Sequence, residues 1–311
     1  MSPQRANESE ARSAERRPLS DIAGVIGVGA MGLGVVQSLR RAGIETVVRD
    51  VRPEREAAAT ALGATVAPSP AAVARAAGIT IILVVDAAQA EHVLFGDDGF
   101  ASAAPAQRIV VMSSTVEPEF VVSAAQRLQA RNVMLVDAPV SGGPRRAADG
   151  TMTMMVGADA AARARCAPLF ACIAGRVFDA GGIGDGARMK LVNNLLAAVN
   201  LAAAAEAYAV GVRAGLPVRT VHDVVAASSG ASWIGSDRMP RAFAGKLTPP
   251  HAAARVLAKD VTLATALARR CGVATPLGDA ARAAFETLVR EGYGEDDDAV
   301  LLSRAITATP P

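Results

Sequence analysis

A doubly wound, parallel α/β sheet over the first half of the chain, followed by an all-helical second half, is the fold class that the sequence predicts. Three observations predict it. Short β-branched runs alternate with helical stretches from residue 23 to residue 136, as in a sheet covered on both faces. The glycine-rich run Gly27-Val28-Gly29-Ala30-Met31-Gly32 stands where the first strand turns into the first helix. Residues 187–214 are rich in Ala, Leu and Asn, with no proline and Gly211 as the only glycine. That stretch predicts one long helix.

The elements follow in order. Residues 1–20 are polar, mixed in charge and without an apolar stretch; they are expected to form a disordered tail and not a secretory signal. The expected sheet-bearing domain covers residues 21–183. Its first strand is the apolar run 23–28, and helical periodicity over 30–42 ends at Gly43. A second β-branched run, 46–48, ends at Asp50, and a helix is expected over 53–62. An extended stretch at 65–67 and a helix at 70–77 come next. The apolar run 79–85 reads as a strand buried on both faces, and runs 108–112 and 133–136 complete the expected sheet. Asp137 to Gly143 is expected to follow its last strand. Gly181-Gly182-Ile183-Gly184 predicts a junction, and residues 184–311 form the expected helical domain. After the long helix, further helices are expected at 217–228, 238–244, 251–272 and 276–291.

Bulk properties exclude several functions. The net charge is +2 over 311 residues, with 51% apolar and 3% aromatic content, so neither nucleic acid nor membrane is an expected partner. No uninterrupted apolar run approaches the ~20 residues of a membrane span. Cys166, Cys172 and Cys271 show no CxxC spacing, which argues against a disulfide framework and for a reducing, cytoplasmic setting. His92, His222 and His251 are scattered, and no metal site is expected.

The motifs carry the chemistry. In GxGxxG the first glycine permits a tight turn, the second lets a pyrophosphate approach the backbone, and the third lets helix and strand pack closely. The helix N-terminus attracts the phosphates. Asp50 lies 18 residues beyond Gly32, where a carboxylate grips the adenine ribose hydroxyls and repels a 2′-phosphate. This favours NAD as cofactor. Arg49 and Arg52 flank Asp50 and leave NADP open.

Three lysines stand against twenty-nine arginines, and two of the three sit in notable segments. A lysine kept in such a background suggests work that arginine cannot do, the exchange of a proton. Lys190 opens Lys190-Leu191-Val192-Asn193-Asn194, and Lys259 heads Lys259-Asp260. Lys190 and Asn194 are four apart and share a helix face. Ser141-Gly142-Gly143 offers a hydroxyl and unobstructed backbone N–H groups, a cradle for a carboxylate. Ser113-Ser114-Thr115 ends a strand, where its hydroxyls can touch ligand or cap the next helix. Trp233 can line a pocket or pack at a subunit contact.

Taken together, the segments GVIGVGAMG, MSSTVEP, DAPVSGGPRRAADGTMTMMVG, KLVNN and KDVTLA resemble the β-hydroxyacid dehydrogenase family, which includes 3-hydroxyisobutyrate dehydrogenase. They occur in family order from residue 22 to residue 290. The stretches VVDAAQAEHVLFG, NNLLAAVNLAAAAEAYAVGVRAG and SSGASWIGSDRMP look most like its L-threonate dehydrogenase branch. The resemblance implies a Rossmann domain, a long interdomain helix and a helical domain that completes the cleft and a homodimer or homotetramer. It implies hydride transfer from a short hydroxy acid to NAD, with NADP possible, and Lys190 as general acid and base. It implies substrate contacts at Ser141, Gly142, Gly143 and Asn194. It implies cofactor contacts at Gly27, Val28, Gly29, Ala30, Met31, Gly32, Asp50, Thr115 and Lys259. Related ketone, semialdehyde or imine reductases using NADPH are an alternative, as is a non-catalytic relative. The imine reductases typically replace the lysine, and a non-catalytic relative would be expected to lose the lysine or the carboxylate loop. The chain departs from the family at Pro144-Arg145-Arg146, whose arginines either extend an anion site or stand in solvent.

Overall fold

The structure, a computed structural model, describes residues 22–307. The expected tail at 1–20 lies outside the described residues. The chain starts with β1 (Ile22–Ile26), α1 (Ala30–Arg41), β2 (Glu45–Arg49), α2 (Pro53–Ala61), β3 (Thr65–Val66) and α3 (Pro70–Ala76). Then come β4 (Ile79–Ile82), α4 (Ala87–Phe95), α5 (Phe100–Ala103), β5 (Ile109–Met112), α6 (Pro118–Gln129) and β6 (Met134–Asp137). Strands β3-β2-β1-β4-β5-β6 lie side by side and all parallel. This is the doubly wound Rossmann order, in which ligands sit beyond the carboxyl ends of the strands.

Two apolar layers cover the sheet. Val35, Leu39, Leu169 and Phe170 pack on one face. Val73, Leu94, Phe100, Val121 and Leu128 pack on the other. That double cover is why β4 and β5 are buried at every position, with Thr80 the one polar side chain among them.

The strand expected over 79–85 ends at Ile82. The chain then turns so that Asp86 can cap α4, accepting a hydrogen bond from the Gln89 N–H. The sheet also does not end at Asp137. It continues through β7 (Val140–Ser141), α7 (Gly143–Asp149), β8 (Met152–Gly157), α8 (Ala160–Ile173) and β9 (Ala174–Gly181). β8 runs antiparallel to β6 and β7, and β9 pairs with β8 in parallel. Pro139 breaks the run between β6 and β7, which disguised the continuation.

From Asp185 the chain is helical. α9 (Asp185–Arg213) is the long helix, 29 residues. Around it stand α10 (Val218–Ala226), α11 (Trp233–Phe243), α12 (Ala254–Arg270), α13 (Pro276–Leu288) and α14 (Val300–Thr307). α11 starts earlier than the expected residue 238 because Ser232 caps it, accepting from the Gly235 N–H. Leu201, Tyr208, Val261 and Phe285 centre a third core here. α9 is long and apolar enough, by length and composition, to cross a membrane. It packs against α11, α12, α13 and α14 and against β8.

Candidate active site

The glycine loop is shaped by close contacts. Gly27 leaves β1 at φ +89°, and a Cβ there would lie 2.6 Å from the Leu83 carbonyl oxygen. A Cβ on Gly32 would lie 2.0 Å from the Gly27 carbonyl oxygen, so only glycine lets α1 pack on the turn. Gly29 is the opposite case. Nothing stands within 4 Å of its missing Cβ, and no side chain caps α1. The N–H groups of Ala30 and Met31, in the first turn, are thus left open to an anion. Asp50 closes the other side of the loop. Its Oδ2 accepts the Val28 N–H at 2.6 Å and its Oδ1 accepts the Arg52 N–H at 3.0 Å. An open helix end beside a pinned carboxylate fits the pyrophosphate and ribose of a dinucleotide.

A second group of residues gathers where α9 meets the far end of the sheet. Lys190 is 8% exposed, and its Nζ donates to the Val140 carbonyl at 2.8 Å. Burial pushes its amine below the ordinary lysine range; the nearby Asp260 charge opposes this and Lys259 adds to it. Val140 is followed directly by Ser141, so the amine is anchored beside the expected carboxylate cradle. Gly142 and Gly143 turn the chain at φ +131° and +74°, and nothing stands within 4 Å of the missing Cβ of Gly143. A side chain here would strain the backbone and cover its donors.

Asn194 lies one turn beyond Lys190, as their spacing predicts. Its Nδ2 donates to Asp260 Oδ2 at 2.6 Å, and its Oδ1 accepts from Asn193 Nδ2 at 2.9 Å. Asp260 Oδ1 accepts from Lys259 Nζ at 2.7 Å, and the same Nζ donates to the Thr115 carbonyl at 2.6 Å. A continuous chain of polar contacts therefore runs from the end of β5, through α12, to α9. Sequence reasoning placed Lys259 and Thr115 by the cofactor; the structure joins them to each other. It took Asp260 only together with Lys259, in the segment near the cofactor and the cleft, and did not pair it with Asn194. The available signal was an acid beside a rare lysine on the buried face of a helix.

Asp137 was also missed. It is buried at the end of β6 and accepts the N–H groups of Gly184 at 3.0 Å and Ala187 at 2.9 Å. Burial raises its carboxyl to about 6, while these N–H groups pull it back down. The carboxylate thus seats the first turn of α9, one turn before Lys190. Gly157 and Gly186 make the seat tight. A Cβ on Gly157 would lie 2.2 Å from the Gly182 carbonyl oxygen, and one on Gly186 would lie 2.6 Å from that of Met155.

Other residues stay apart. Ser113 and Ser114 do not cap α6; their hydroxyls donate to the Ala138 and Ile82 carbonyls at 2.8 and 3.4 Å. The Arg145 side chain is solvated, 3.8 Å from Asp149. Trp233 is exposed at the start of α11. His222 Nδ1 meets the Tyr208 hydroxyl at 2.9 Å, a contact within the helical domain.

Known proteins resemble this chain in sequence and fold. Residues 22–182 match the family model described as the NAD binding domain of 6-phosphogluconate dehydrogenase. Residues 184–305 match that described as NAD-binding of NADP-dependent 3-hydroxyisobutyrate dehydrogenase. The chain belongs to the β-hydroxyacid dehydrogenase family. Among its relatives, L-threonate dehydrogenase of Cupriavidus necator is 40% identical over 280 residues, covering 90% of this chain and 94% of the relative. NAD-dependent L-serine dehydrogenase of Pseudomonas aeruginosa is 32% identical, covering 89% of this chain and 95% of the relative. A crystal structure of 3-hydroxyisobutyrate dehydrogenase from Salmonella typhimurium superposes with a TM-score of 0.84 at 36% identity, covering 91% of this chain and 99% of that one. This member of the β-hydroxyacid dehydrogenases is an NAD(P)-dependent dehydrogenase of short hydroxy acids.

Proposed function

We propose that the protein oxidises an L-threonate-like hydroxy acid with NAD, using Lys190 as general base and, in reverse, as general acid. The observation that carries this reading is the buried Lys190 amine, held on the Val140 carbonyl beside Ser141. The relatives named for L-threonate favour that substrate. Residues 21–183 form the cofactor domain and 184–311 the domain that completes the substrate site.

Ser141 Oγ and the N–H groups of Gly142 and Gly143 hold the substrate carboxylate. Lys190 Nζ and Asn194 hold the reacting hydroxyl. Burial keeps the lysine neutral more readily than in water, as a base requires. During oxidation the O–H bond breaks and its proton passes to Nζ. The carbinol C–H bond breaks with its electron pair, and the C=O double bond forms. The nicotinamide, when bound, supplies the hydride acceptor. Asp260 holds Asn194 in place and, through Lys259, ties the site to the end of β5.

The partner surface follows from α9. Met189, Val192, Leu196 and Val210 are exposed on it, at spacings close to a heptad, as on a helix that meets another helix. We assign that stripe to a homodimer or homotetramer contact. We place the protein in a reducing, cytoplasmic setting, in which its three free cysteines would stay reduced.

A screen of NAD reduction with L-threonate, D-threonate, D-glycerate, L-serine and 3-hydroxyisobutyrate tests the reading. L-threonate should show the highest kcat/KM. A clear preference for another of the five would refute the substrate, and no NAD reduction with any acid would refute the hydroxy-acid reading.

A further inference from the structure

Asp50 is not the only carboxylate at the adenosine end of the glycine loop. Glu56, on the first turn of α2, points back to the end of β2. Its Oε1 accepts Arg49 Nη1 at 2.7 Å and the Asp50 N–H at 3.0 Å. Arg49 is the last residue of β2, and its carbonyl accepts the Gly27 N–H at 3.0 Å. Arg49, Asp50 and Gly27 are thus one connected corner. A guanidinium at this corner is the natural partner of a 2′-phosphate. Here that guanidinium is already engaged. The Glu56 side chain is only 15% exposed, against 31% for Arg49, so the acid forms the fixed half of the pair.

We infer that Glu56 is a specificity-determining residue for the cofactor. It withholds Arg49 from a 2′-phosphate while it braces the backbone of Asp50 against the loop. Asp50 alone repels the phosphate. Glu56 pairs with the cation that would compensate, so the repulsion from Asp50 is left unopposed at this corner. Arg52 has no such fixed place: its side chain is exposed, and its backbone N–H, not its guanidinium, meets Asp50. The inference rests on the reading of Gly27–Gly32 and Asp50 as the dinucleotide site.

Glu56→Gln is the informative variant. The amide oxygen still accepts the Asp50 N–H, but the charge that holds Arg49 is gone. Dissociation constants for NAD and NADP are measured by isothermal titration on the full chain, with no substrate present. NADP should bind about tenfold tighter than to wild type, the worth of about one charge-assisted hydrogen bond. NAD should stay within about twofold, because its ribose contacts through Asp50 are kept. Adding Arg49→Gln to Glu56→Gln should cancel the gain. Glu56→Ala serves as a second route to the same comparison, and retained NAD binding reports that either variant is folded. An unchanged NADP constant, or a gain that survives without Arg49, overturns the inference; the latter would pass the role to Arg52. Equal weakening of both cofactors in both variants also overturns it, since Glu56 would then support the pocket without discriminating. Failure of the wild type to bind either cofactor refutes the dinucleotide site itself.

Discussion

Replacing Asp260 by asparagine isolates the link between the two ends of the site. The carboxylate is 4% exposed and receives Lys259 Nζ at 2.7 Å on one oxygen and Asn194 Nδ2 at 2.6 Å on the other. The amide keeps one acceptor for two donors. One charge-assisted bond is therefore lost and the other weakened, which costs about 2–3 kcal/mol. For a chain of this size that lowers the Tm by roughly 5 °C. The kinetic consequence has a definite sign. The Asp260 charge raises the proton affinity of Lys190 against the effect of burial. Without it, burial acts less opposed and the lysine loses its proton at lower pH. The acid limb of the kcat/KM profile for oxidation should therefore move to lower pH, while kcat falls because Asn194 is no longer held. Stability should respond in the same sense. The folded chain already releases the Lys190 proton more readily than the unfolded chain, so stability rises with pH toward the ordinary lysine range. Asp260→Asn should make that rise larger. Stopped-flow profiles from pH 6 to 10, with thermal unfolding across the same buffers, measure both. An acid limb that stays in place or moves upward would refute the coupling of Asp260 to Lys190.

Three further outcomes are expected. Lys190→Ala should lower turnover by roughly two to four orders of magnitude with NAD affinity retained, and Lys190→Arg should fail nearly as badly, because a guanidinium does not deprotonate near neutral pH; near-normal rates in either would remove Lys190 from the chemistry. Ser141→Ala should raise KM for the acid and leave NAD binding alone, and the methyl ester of the substrate should lose at least about tenfold in kcat/KM, the worth of one hydrogen bond to a charged group. Equal rates for acid and ester would dismiss the carboxylate cradle. Gly32→Ala should cost about 1–3 kcal/mol from overpacking, because its Cβ would meet the Gly27 carbonyl at 2.0 Å; calorimetry showing wild-type stability would contradict the packing described.

Much of the cofactor half could be read directly from the chain. β1, β4 and β5 are buried at nearly every position and so read as short apolar runs, with Thr80 the one polar residue among them, while β2 alternates between buried and more exposed positions. The GxGxxG run announces itself because its glycines stand at the fixed spacing that a strand, a tight turn and a helix require. The later part of the sheet was less legible. β7 has two residues and β9 is mostly exposed, so neither shows a buried strand's pattern. Helix starts at α4 and α11 depend on single capping residues, Asp86 and Ser232, which periodicity does not weigh.

The sequence by itself determined the residue types of the site and their local geometry. A helix of 3.6 residues per turn places Lys190 and Asn194 on one face whatever surrounds them, and Gly142 and Gly143 can take their positive φ because they carry no Cβ. Only the tertiary structure decided which distant groups these residues meet. Lys190 meets a carbonyl 50 residues away and Asn194 a carboxylate 66 residues away. Lys259 reaches a carbonyl 144 residues away. No local pattern encodes such pairs, because they exist only once α9 and α12 dock on the sheet. The depressed proton affinity of Lys190 belongs to the same class, since it comes from burial against the whole fold.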